Sequence, residues 1–522
     1  MKDLKSLFRT VLRDVGGIQF LLGPSLLVPG LVSVMYGEFY TAISFAISSA
    51  VATLFGVITY RKITPAEENG TSQAMITAVA AWLVTSLIGA FPFFIAAHIT
   101  PAAVANAFVP AGESYSSSLF IFKNYLHALF ESVSAYTTTG LTMSVHEPSI
   151  GRGLLFYRSF AQWLGGAGMI VLSLALLQRS GKMHGLVMYH AEARTRKIRP
   201  NVTQTARAIW KVYLSLTAVS VLYLVIATYI VFPGSGIVQN LYESVNHAMA
   251  GLSTGGFSTF DNSILGYNSH AMEMIYLLPM LVGAFSIPLY YKVYDKRSLK
   301  EFWIDNQGRW LILLSAGGSA LIIILLLGSF DFSRSFREGV FQFVSALTTT
   351  GWHTADFNEW PDSAILLLAT GPMIIGGSAG ATVGGIKIFR TYLIAKGFVW
   401  RLKHIFQPSN SIVAINLGNK RYLYKEISDD LMEAYTFSMM YLGVLLLGIL
   451  ISVNFMGEEF RTLDAIFESV SAQGTVGLSS GITGPEMSPV LKVTYIIQML
   501  VGRLELIPIL IMFKSMFDRS RN

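Results

Sequence analysis

Four short stretches of the chain resemble one another, and each combines glycine with threonine or serine. They cover residues 134–142, 250–258, 345–353 and 471–479. Glycine tolerates backbone angles that other residues avoid, so such a stretch can turn successive carbonyl oxygens to one side. A ring of carbonyl oxygens can replace the water shell of a cation. The pattern predicts a cation filter formed by Thr138, Thr139, Gly140, Thr254, Gly255, Gly256, Thr349, Thr350, Gly351, Thr475, Val476 and Gly477.

The segments around these stretches are apolar enough to cross a membrane. The chain has 522 residues, of which 52% are hydrophobic and only 13% charged, whereas soluble domains carry about 25% charged residues. A spanning helix needs about 20 mostly apolar residues. We therefore predict an integral membrane protein in the lipid bilayer, with ten spans at 15–36, 39–60, 73–98, 154–178, 208–232, 271–293, 309–329, 363–400, 431–455 and 488–514.

The basic residues predict the orientation of these spans. With ten spans, every cluster of Lys and Arg falls on one side, which the positive-inside rule identifies as the cytoplasm, with both termini inside. The net charge of +7 therefore reflects topology, and no nucleic-acid partner is predicted. The chain has no cysteine, which excludes disulfides and thiolate chemistry.

The order of the segments predicts the fold class. We predict an all-α protein with two N-terminal spans and four pseudo-symmetric helix–pore loop–helix repeats around a central ion pore. Short segments near 122–135, 237–250, 334–346 and 462–472 suit re-entrant pore helices, since non-helical backbone at membrane depth must line a cavity or lie in protein. Four unrelated turns would also favour glycine and serine, but repetition in register with the spans argues against them. The predicted units are 1–65, 66–190, 191–298, 299–428 and 429–522.

The four quarters are unequal. The second stretch lacks the Ser-Ala start and has Gly255 where the first and third have Thr139 and Thr350. The fourth has Val476 at that position. Repeats within one chain are free to diverge, so the symmetry of the filter is left open.

The chain resembles the TrkH-type potassium uptake subunits of the Trk/Ktr/HKT superfamily over nearly its whole length. Beyond the four stretches, the resemblance rests on Lys197-Ile-Arg-Pro-Asn, on the glycine-rich run 376–387 and on Val501-Gly-Arg-Leu-Glu-Leu-Ile-Pro508. It implies potassium uptake across the plasma membrane of a prokaryote. It also implies a homodimer, and cytoplasmic nucleotide-binding regulatory subunits of the TrkA type. The first filter position is Gly140 rather than serine, and the resemblance therefore implies a preference for potassium over sodium.

Glycine also interrupts the eighth predicted span. Five glycines in residues 376–385 would unwind that span, although small residues also serve close helix packing. The resemblance implies a gate, to which we assign Gly376, Gly377, Gly380, Gly384, Gly385, Lys387 and Arg503. A nucleotide-binding loop is excluded, because Lys387 follows Ile386 rather than a glycine.

A charged residue lies in the middle of the last predicted span. A buried membrane charge is a functional candidate, and the resemblance implies that Arg503 points into the pore and opposes cation flow. The alternative is a structural role, in which Arg503 pairs with Glu505 or with free carbonyls of the broken helix.

Other polar residues near the stretches have simpler interpretations. Arg158 and Gln162 are explained by packing or snorkelling. Glu131 and Glu468, at equivalent repeat positions, either bond the loops or attract cations. His247, at the same position of the second repeat, is interpreted as a packing residue rather than a metal ligand.

Three functions compete. The first is a potassium channel or transporter subunit, in which potassium in the filter is the only bound ion and no cofactor is required. The alternative is a sodium-permeable or cation-coupled secondary symporter, a class that usually shows two inverted repeats with broken helices at matching positions. Four repeats and a single evident break count against it. An enzyme is not predicted, because the spans carry no paired carboxylates, histidine cluster or Ser/His/Asp arrangement.

Overall fold

The computed structural model describes residues 4–63, 71–179, 202–407, 414–418 and 420–517. The motif at 197–201 and the predicted unit boundaries near 65 and 190 lie outside these residues. The first helices are α1 (Leu4–Leu22), α2 (Leu27–Met35), α3 (Phe39–Lys62), α4 (Thr71–Gly89), α5 (Phe91–Ile99), α6 (Ala102–Asn106), α7 (Tyr125–Tyr136) and α8 (Arg152–Arg179).

The middle of the chain continues the pattern of long and short helices. It contains α9 (Val202–Val231), α10 (Ile237–Leu252), α11 (His270–Ala284), α12 (Ile287–Lys296), α13 (Glu301–Ile304), α14 (Asn306–Leu326), α15 (Phe332–Leu347), α16 (Asp362–Thr370), α17 (Pro372–Ile375) and α18 (Ile388–Ile405). The last helices are α19 (Tyr424–Phe455), α20 (Thr462–Gly474), α21 (Pro489–Leu504) and α22 (Leu506–Phe517).

The described residues also form a small β-hairpin, so the all-α prediction was wrong in this detail. Strands β1 (Ile415–Leu417) and β2 (Lys420–Tyr422) pair antiparallel, with Ile415 opposite Tyr422. Ile415 and Leu417 are buried in a cluster with residues of α18 and α19. Alternation of buried and exposed side chains, which is typical of a strand, therefore anchors the hairpin.

The described residues contain six helical segments long and apolar enough to cross a membrane, and up to eight if each sharply bent pair counts as one span. The bent pairs are α11–α12, at 92°, and α21–α22, at 107°. The other two predicted spans correspond to α8 and to the interrupted segment α16–α17–α18. The structure establishes a multi-span helical protein, while the count of ten stays a prediction.

Within the described part of the chain, three of the predicted spans are interrupted or sharply bent, so the single break expected from the sequence was an undercount. The helices that follow the breaks carry Pro372, Pro288 and Pro508 in their first turn. Proline has no N–H group and clashes with the preceding turn, but it is tolerated at the start of a helix. A new helix can therefore begin at each of these points.

Four short helices, α7, α10, α15 and α20, lie close to the predicted pore-helix segments. Polar side chains cap several of them, as expected at helix N-termini: Asn124 accepts from Leu126 N at 3.0 Å, and Asp331 accepts from Ser333 N at 3.0 Å. Buried core clusters surround these helices: Phe130 of α7 and Phe467 of α20 are fully buried in the two largest, and Ala248 of α10 lies in a third. The fold therefore holds the start of each glycine stretch rigidly inside the protein.

Candidate functional site

The four glycine stretches adopt the same unusual backbone conformation. A threonine two residues before each glycine has a positive φ, at 54° for Thr138, 52° for Thr254, 51° for Thr349 and 50° for Thr475. Positive φ is uncommon for non-glycine residues and is a strain of order 1–3 kcal/mol each. The following glycines are also left-handed, with φ of 96° at Gly140, 75° at Gly256, 82° at Gly351 and 90° at Gly477.

Each stretch is attached to its own short helix in the same way. The amide of the residue before the glycine donates to the carbonyl five residues earlier, at 2.9 Å for Thr139, 2.8 Å for Gly255, 2.9 Å for Thr350 and 2.9 Å for Val476. These bonds use carbonyls at the C-terminal ends of the helices, which carry the negative end of the helix dipole. Each loop is therefore bonded in the same way to the C-terminal end of its short helix.

The four loops meet in a closed ring. A side-chain carbon at Gly140 would collide with the Gly255 carbonyl oxygen of the next quarter. The same holds for Gly256 against the Thr350 oxygen and for Gly351 against the Val476 oxygen. Gly477 completes the circle against the Thr139 oxygen. All twelve residues predicted from the sequence are therefore brought together, and only glycine fits at the four contact points.

A side chain nine residues before each glycine braces the segment that follows it. The Glu131 carboxylate accepts from Met143 N at 2.8 Å and from Thr142 Oγ1 at 3.0 Å. Glu468 accepts from Ser480 N at 2.8 Å and from Ser479 Oγ at 2.8 Å. Both glutamates are fully buried, so of the two roles considered from the sequence, the geometry matches bonding of the loops.

The other two quarters use neutral residues at this position. His247 Nε2 lies 3.1 Å from Ser258 Oγ, and its Nδ1 lies 3.0 Å from Tyr276 Oη. Gln342 Nε2 donates to Thr354 Oγ1 at 3.4 Å. Both nitrogens of His247 thus have hydroxyl neighbours, in agreement with its interpretation as a packing residue.

Arg158 and Gln162 contact the loops directly, a role that the sequence did not predict. Arg158 is 1% exposed and its Nε donates to Glu131 Oε1 at 2.7 Å, so snorkelling was the wrong interpretation. Gln162 Nε2 donates to the Gly255 carbonyl at 2.5 Å. A detectable signal existed, because two polar residues four apart share one face of an otherwise apolar helix.

An outer cavity of about 540 Å³ opens onto the ring. The four ring glycines line it together with the acidic residues Glu147, Asp261 and Asp356. Burial raises the pKa of Glu147 well above its usual range, and Arg158 partly opposes this shift. Among the described residues, no group of three or more His, Cys, Asp or Glu is placed to hold a metal ion. The cavity therefore presents acidic side chains next to the ring glycines.

The glycine-rich run lies directly against the ring of positive-φ threonines. Thr382 Oγ1 lies 3.1 Å from Thr254 Oγ1, and Gly384 N donates to Thr349 Oγ1 at 3.3 Å. A side chain at Gly384 would collide with Thr475 Oγ1. Three of the four quarters therefore contact this non-helical segment, which we call the intramembrane loop (376–387).

Glycine permits the path of the intramembrane loop in two ways. Gly376, Gly380 and Gly385 have φ of 69°, 80° and 74°, which side chains rarely adopt. Gly377 has no room for a side chain, because its Cβ would lie 2.9 Å from Val383 Cγ1. The close-packing alternative therefore applies to some of the five glycines, while backbone conformation explains the others.

Arg503 bonds to backbone carbonyls, one of the two partners considered from the sequence, and Lys387 takes the carboxylate that was the other. Arg503 is 2% exposed and donates to the Thr382 carbonyl and, at 3.3 Å, to the Gly165 carbonyl. Glu505 pairs instead with Lys387 Nζ at 3.0 Å and with Arg390 Nη2 at 2.8 Å. The structural pair Arg503–Glu505 is therefore absent from the described ion pairs, and Arg503 holds the middle of the intramembrane loop.

Comparison with known proteins agrees with this architecture. The TrkH family, described as cation transport protein, matches residues 42–522. An uncharacterized cation transporter of Methanocaldococcus jannaschii is 30% identical over 510 residues, covering 98% of this chain and 96% of that protein. The Trk system potassium uptake protein TrkH of Escherichia coli is 29% identical over 529 residues, covering 98% and 100%.

A solved structure extends the similarity to three dimensions. The crystal structure of the potassium transporter TrkH from Vibrio parahaemolyticus superposes with a TM-score of 0.80 at 26% identity, covering 98% of this chain and 100% of that one. The family profile, the relatives and the fold agree over nearly the full length. The chain therefore belongs to the TrkH family of cation transport proteins.

Proposed function

We propose that this protein takes up potassium ions across the plasma membrane of a prokaryote through a filter made of the four glycine loops. The observation that carries the proposal is the closed ring, in which each filter glycine abuts a carbonyl oxygen of the next quarter. The relatives named as potassium uptake proteins support the choice of ion. The inside-negative potential contributes about 2.3 kcal/mol per charge per 100 mV, which drives inward movement.

The ring offers oxygens of two kinds to a dehydrated ion. Carbonyl oxygens come from Thr139, Gly255, Thr350 and Val476, and hydroxyls come from the threonines below them. The hydroxyls of Thr138 and Thr475 are buried and lack a hydrogen-bond partner among the described residues. A buried hydroxyl without a partner is costly, and a bound cation would satisfy both. The dipoles of the four short helices add negative potential at the same place.

The intramembrane loop and Arg503 form the proposed gate. The loop touches three of the filter threonines from one side, and the Arg503 guanidinium lies beside it. A fixed positive charge opposes a cation at short range. Movement of the loop together with Arg503 would therefore open the path without changing the filter.

We propose the partners from the family resemblance. The protein forms a homodimer with one pore per chain and binds cytoplasmic nucleotide-binding subunits of the TrkA type, with both of its termini in the cytoplasm. The Trk system relatives support a multi-component assembly. The basic cytoplasmic segments 179–211 and 396–425 are the proposed docking surfaces.

The second candidate is a sodium-permeable or cation-coupled symporter. The three broken helical segments favour it, because many coupled transporters contain broken helices. Reversal potentials in reconstituted liposomes separate the two. A channel follows the potassium gradient alone, whereas a symporter shifts its reversal potential when a sodium or proton gradient is imposed.

Growth rescue of a potassium-uptake-deficient bacterial strain at low potassium tests the proposed function, with and without a co-expressed regulatory subunit. We expect rescue by the natural sequence. Replacing Gly140 with serine should raise sodium permeability relative to potassium in a flux assay, because a side chain at Gly140 collides with the Gly255 carbonyl. Unchanged selectivity of a folded Gly140→Ser variant would contradict the filter assignment.

A further inference from the structure

The second quarter of the ring lacks two hydroxyl groups that the first and third quarters possess. It has Gly255 where they have Thr139 and Thr350, and Ala250 where the other quarters have serine. The backbone does not require a glycine at 255, because Gly255 is not among the residues with positive φ. The reason for these small residues must therefore be space.

Gln162 of α8, a helix of the first quarter, occupies that space. A side-chain carbon at Gly255 would lie 2.6 Å from Gln162 Oε1 and 2.7 Å from its Nε2. Gln162 is fully buried. The amide group of one quarter is thus inserted behind the loop of the next.

The Gln162 amide holds the second loop on both sides of Gly256. Its Nε2 donates to the Gly255 carbonyl at 2.5 Å, and its Oε1 accepts from Phe257 N at 3.2 Å. Only one orientation of the amide satisfies a carbonyl and an N–H group at once. The side chain is therefore fixed, and it fixes the Gly255 carbonyl with it.

In the first and third quarters, a pair of threonine hydroxyls occupies the equivalent place. Thr137 Oγ1 lies 2.8 Å from Thr139 Oγ1, and Thr348 Oγ1 lies 2.8 Å from Thr350 Oγ1. In each of these two quarters, the contact joins the residue before the positive-φ threonine to the residue after it. The Gln162 amide takes the place of this contact in the second quarter, which has Gly255 instead of a threonine at the equivalent position.

We propose that Gln162 is a positioning residue that determines ion selectivity through the second quarter of the filter. The inference rests on the proposed function, because the Gly255 carbonyl matters only if the ring binds the ion. With Gln162 in place, that carbonyl stays at the distance set for potassium. Without it, the carbonyl can move toward a smaller ion, so sodium becomes better tolerated.

The first test is Gln162→Met, which keeps the length of the side chain but removes both hydrogen bonds. In reconstituted liposomes, we expect the potassium-to-sodium permeability ratio to fall about tenfold, the scale expected for a lost buried hydrogen bond. The matched control is Gln19→Met, which removes a bond of similar burial to Thr85 in another predicted span. It should leave the ratio unchanged.

The second test exchanges the two kinds of support. Gly255→Thr alone should strongly reduce conduction, because Gln162 fills the space for the new side chain. The double variant Gln162→Ala with Gly255→Thr should recover both conduction and selectivity. The new hydroxyl would then face Ser253, whose Oγ donates to the Met249 carbonyl just as Thr137 Oγ1 donates to the Val133 carbonyl.

The outcomes separate this inference from the proposed function. A wild-type permeability ratio in Gln162→Met, or a double variant no better than Gly255→Thr alone, would overturn the role of Gln162. If Gly351→Ala abolishes conduction in the same preparation, the filter still stands. Conduction that is insensitive to both Gly351→Ala and Gly140→Ser would instead refute the filter itself. Recovery of function in the double variant supports the inference even where Gln162→Met yields no inserted protein.

Discussion

The filter ring and the intramembrane loop both depend on glycine and threonine, but they are held in opposite ways. Each filter loop is bonded to its own short helix, and in the first and fourth loops these bonds join residues five to twelve apart in sequence. The second loop is also held by Gln162 of another quarter. The intramembrane loop occurs once and is bonded to residues of several quarters, such as Thr254, Thr349 and Arg503.

Under the proposed function, this difference means that separate sets of hydrogen bonds hold the filter and the gate. The filter loops are supported locally and then locked together by their mutual contacts. The intramembrane loop has no second copy to lock it, and its position depends on distant partners. Changes at the ring should therefore alter which ion passes, whereas changes at the loop should alter how often an ion passes.

The largest effect is expected at the ring contacts. Gly351→Ala places a side chain against the Val476 carbonyl at a φ of 82°, and strain of order 1–3 kcal/mol should reduce potassium flux by more than about tenfold. The matched control is Gly317→Ala, since Gly317 of α14 has open space around it. Equal flux in the two variants, measured at equal membrane expression, would show that the ring contact is dispensable.

A smaller effect is expected when the brace of the fourth loop is weakened. Glu468→Gln replaces one acceptor oxygen by an amide, so buried donors such as Ser480 N lose their partner, at about 1–3 kcal/mol. We expect lower thermal stability and a several-fold lower potassium-to-sodium ratio. The control is Glu458→Gln, at an exposed position between α19 and α20. An equal loss of stability and selectivity in Glu458→Gln would show that the hydrogen bonds of Glu468 are not the cause.

The smallest effect on selectivity is expected at the gate. Arg503→Ala removes the bonds to the Thr382 and Gly165 carbonyls and a positive charge beside the path. Potassium flux should rise several-fold while the potassium-to-sodium ratio stays constant. Lys514→Ala, at an exposed position of α22, controls for loss of charge alone. A changed potassium-to-sodium ratio in Arg503→Ala would show that filter and gate do not act separately.

The sequence predicted the local features well. The four stretches, their short helices and the interrupted eighth span all follow from composition and repetition, because each is encoded within about twenty neighbouring residues. The breaks before Ile287 and Leu506 were missed, although Pro288 and Pro508 mark a new first turn. Proline alone does not predict a break in an apolar segment, because a membrane helix can contain it, as α11 contains Pro279.

The contacts between quarters could not be predicted in the same way. Gln162 and Gly255 are 93 residues apart in sequence. A glutamine of the first quarter supports the second loop, where a threonine is missing, and neither local sequence indicates this contact. The pairing of Glu505 with Lys387 and Arg390 depends on two helix breaks meeting in space. Such contacts follow from tertiary packing, which a single sequence does not specify.

The ring closes between Gly477 and the Thr139 carbonyl, which joins its last quarter to its first. A chain emerging from the ribosome therefore has no complete ring until the fourth quarter has been synthesised and inserted. Truncated chains lack the closing contact altogether. The order of the quarters thus places closure of the ring after synthesis of the fourth quarter.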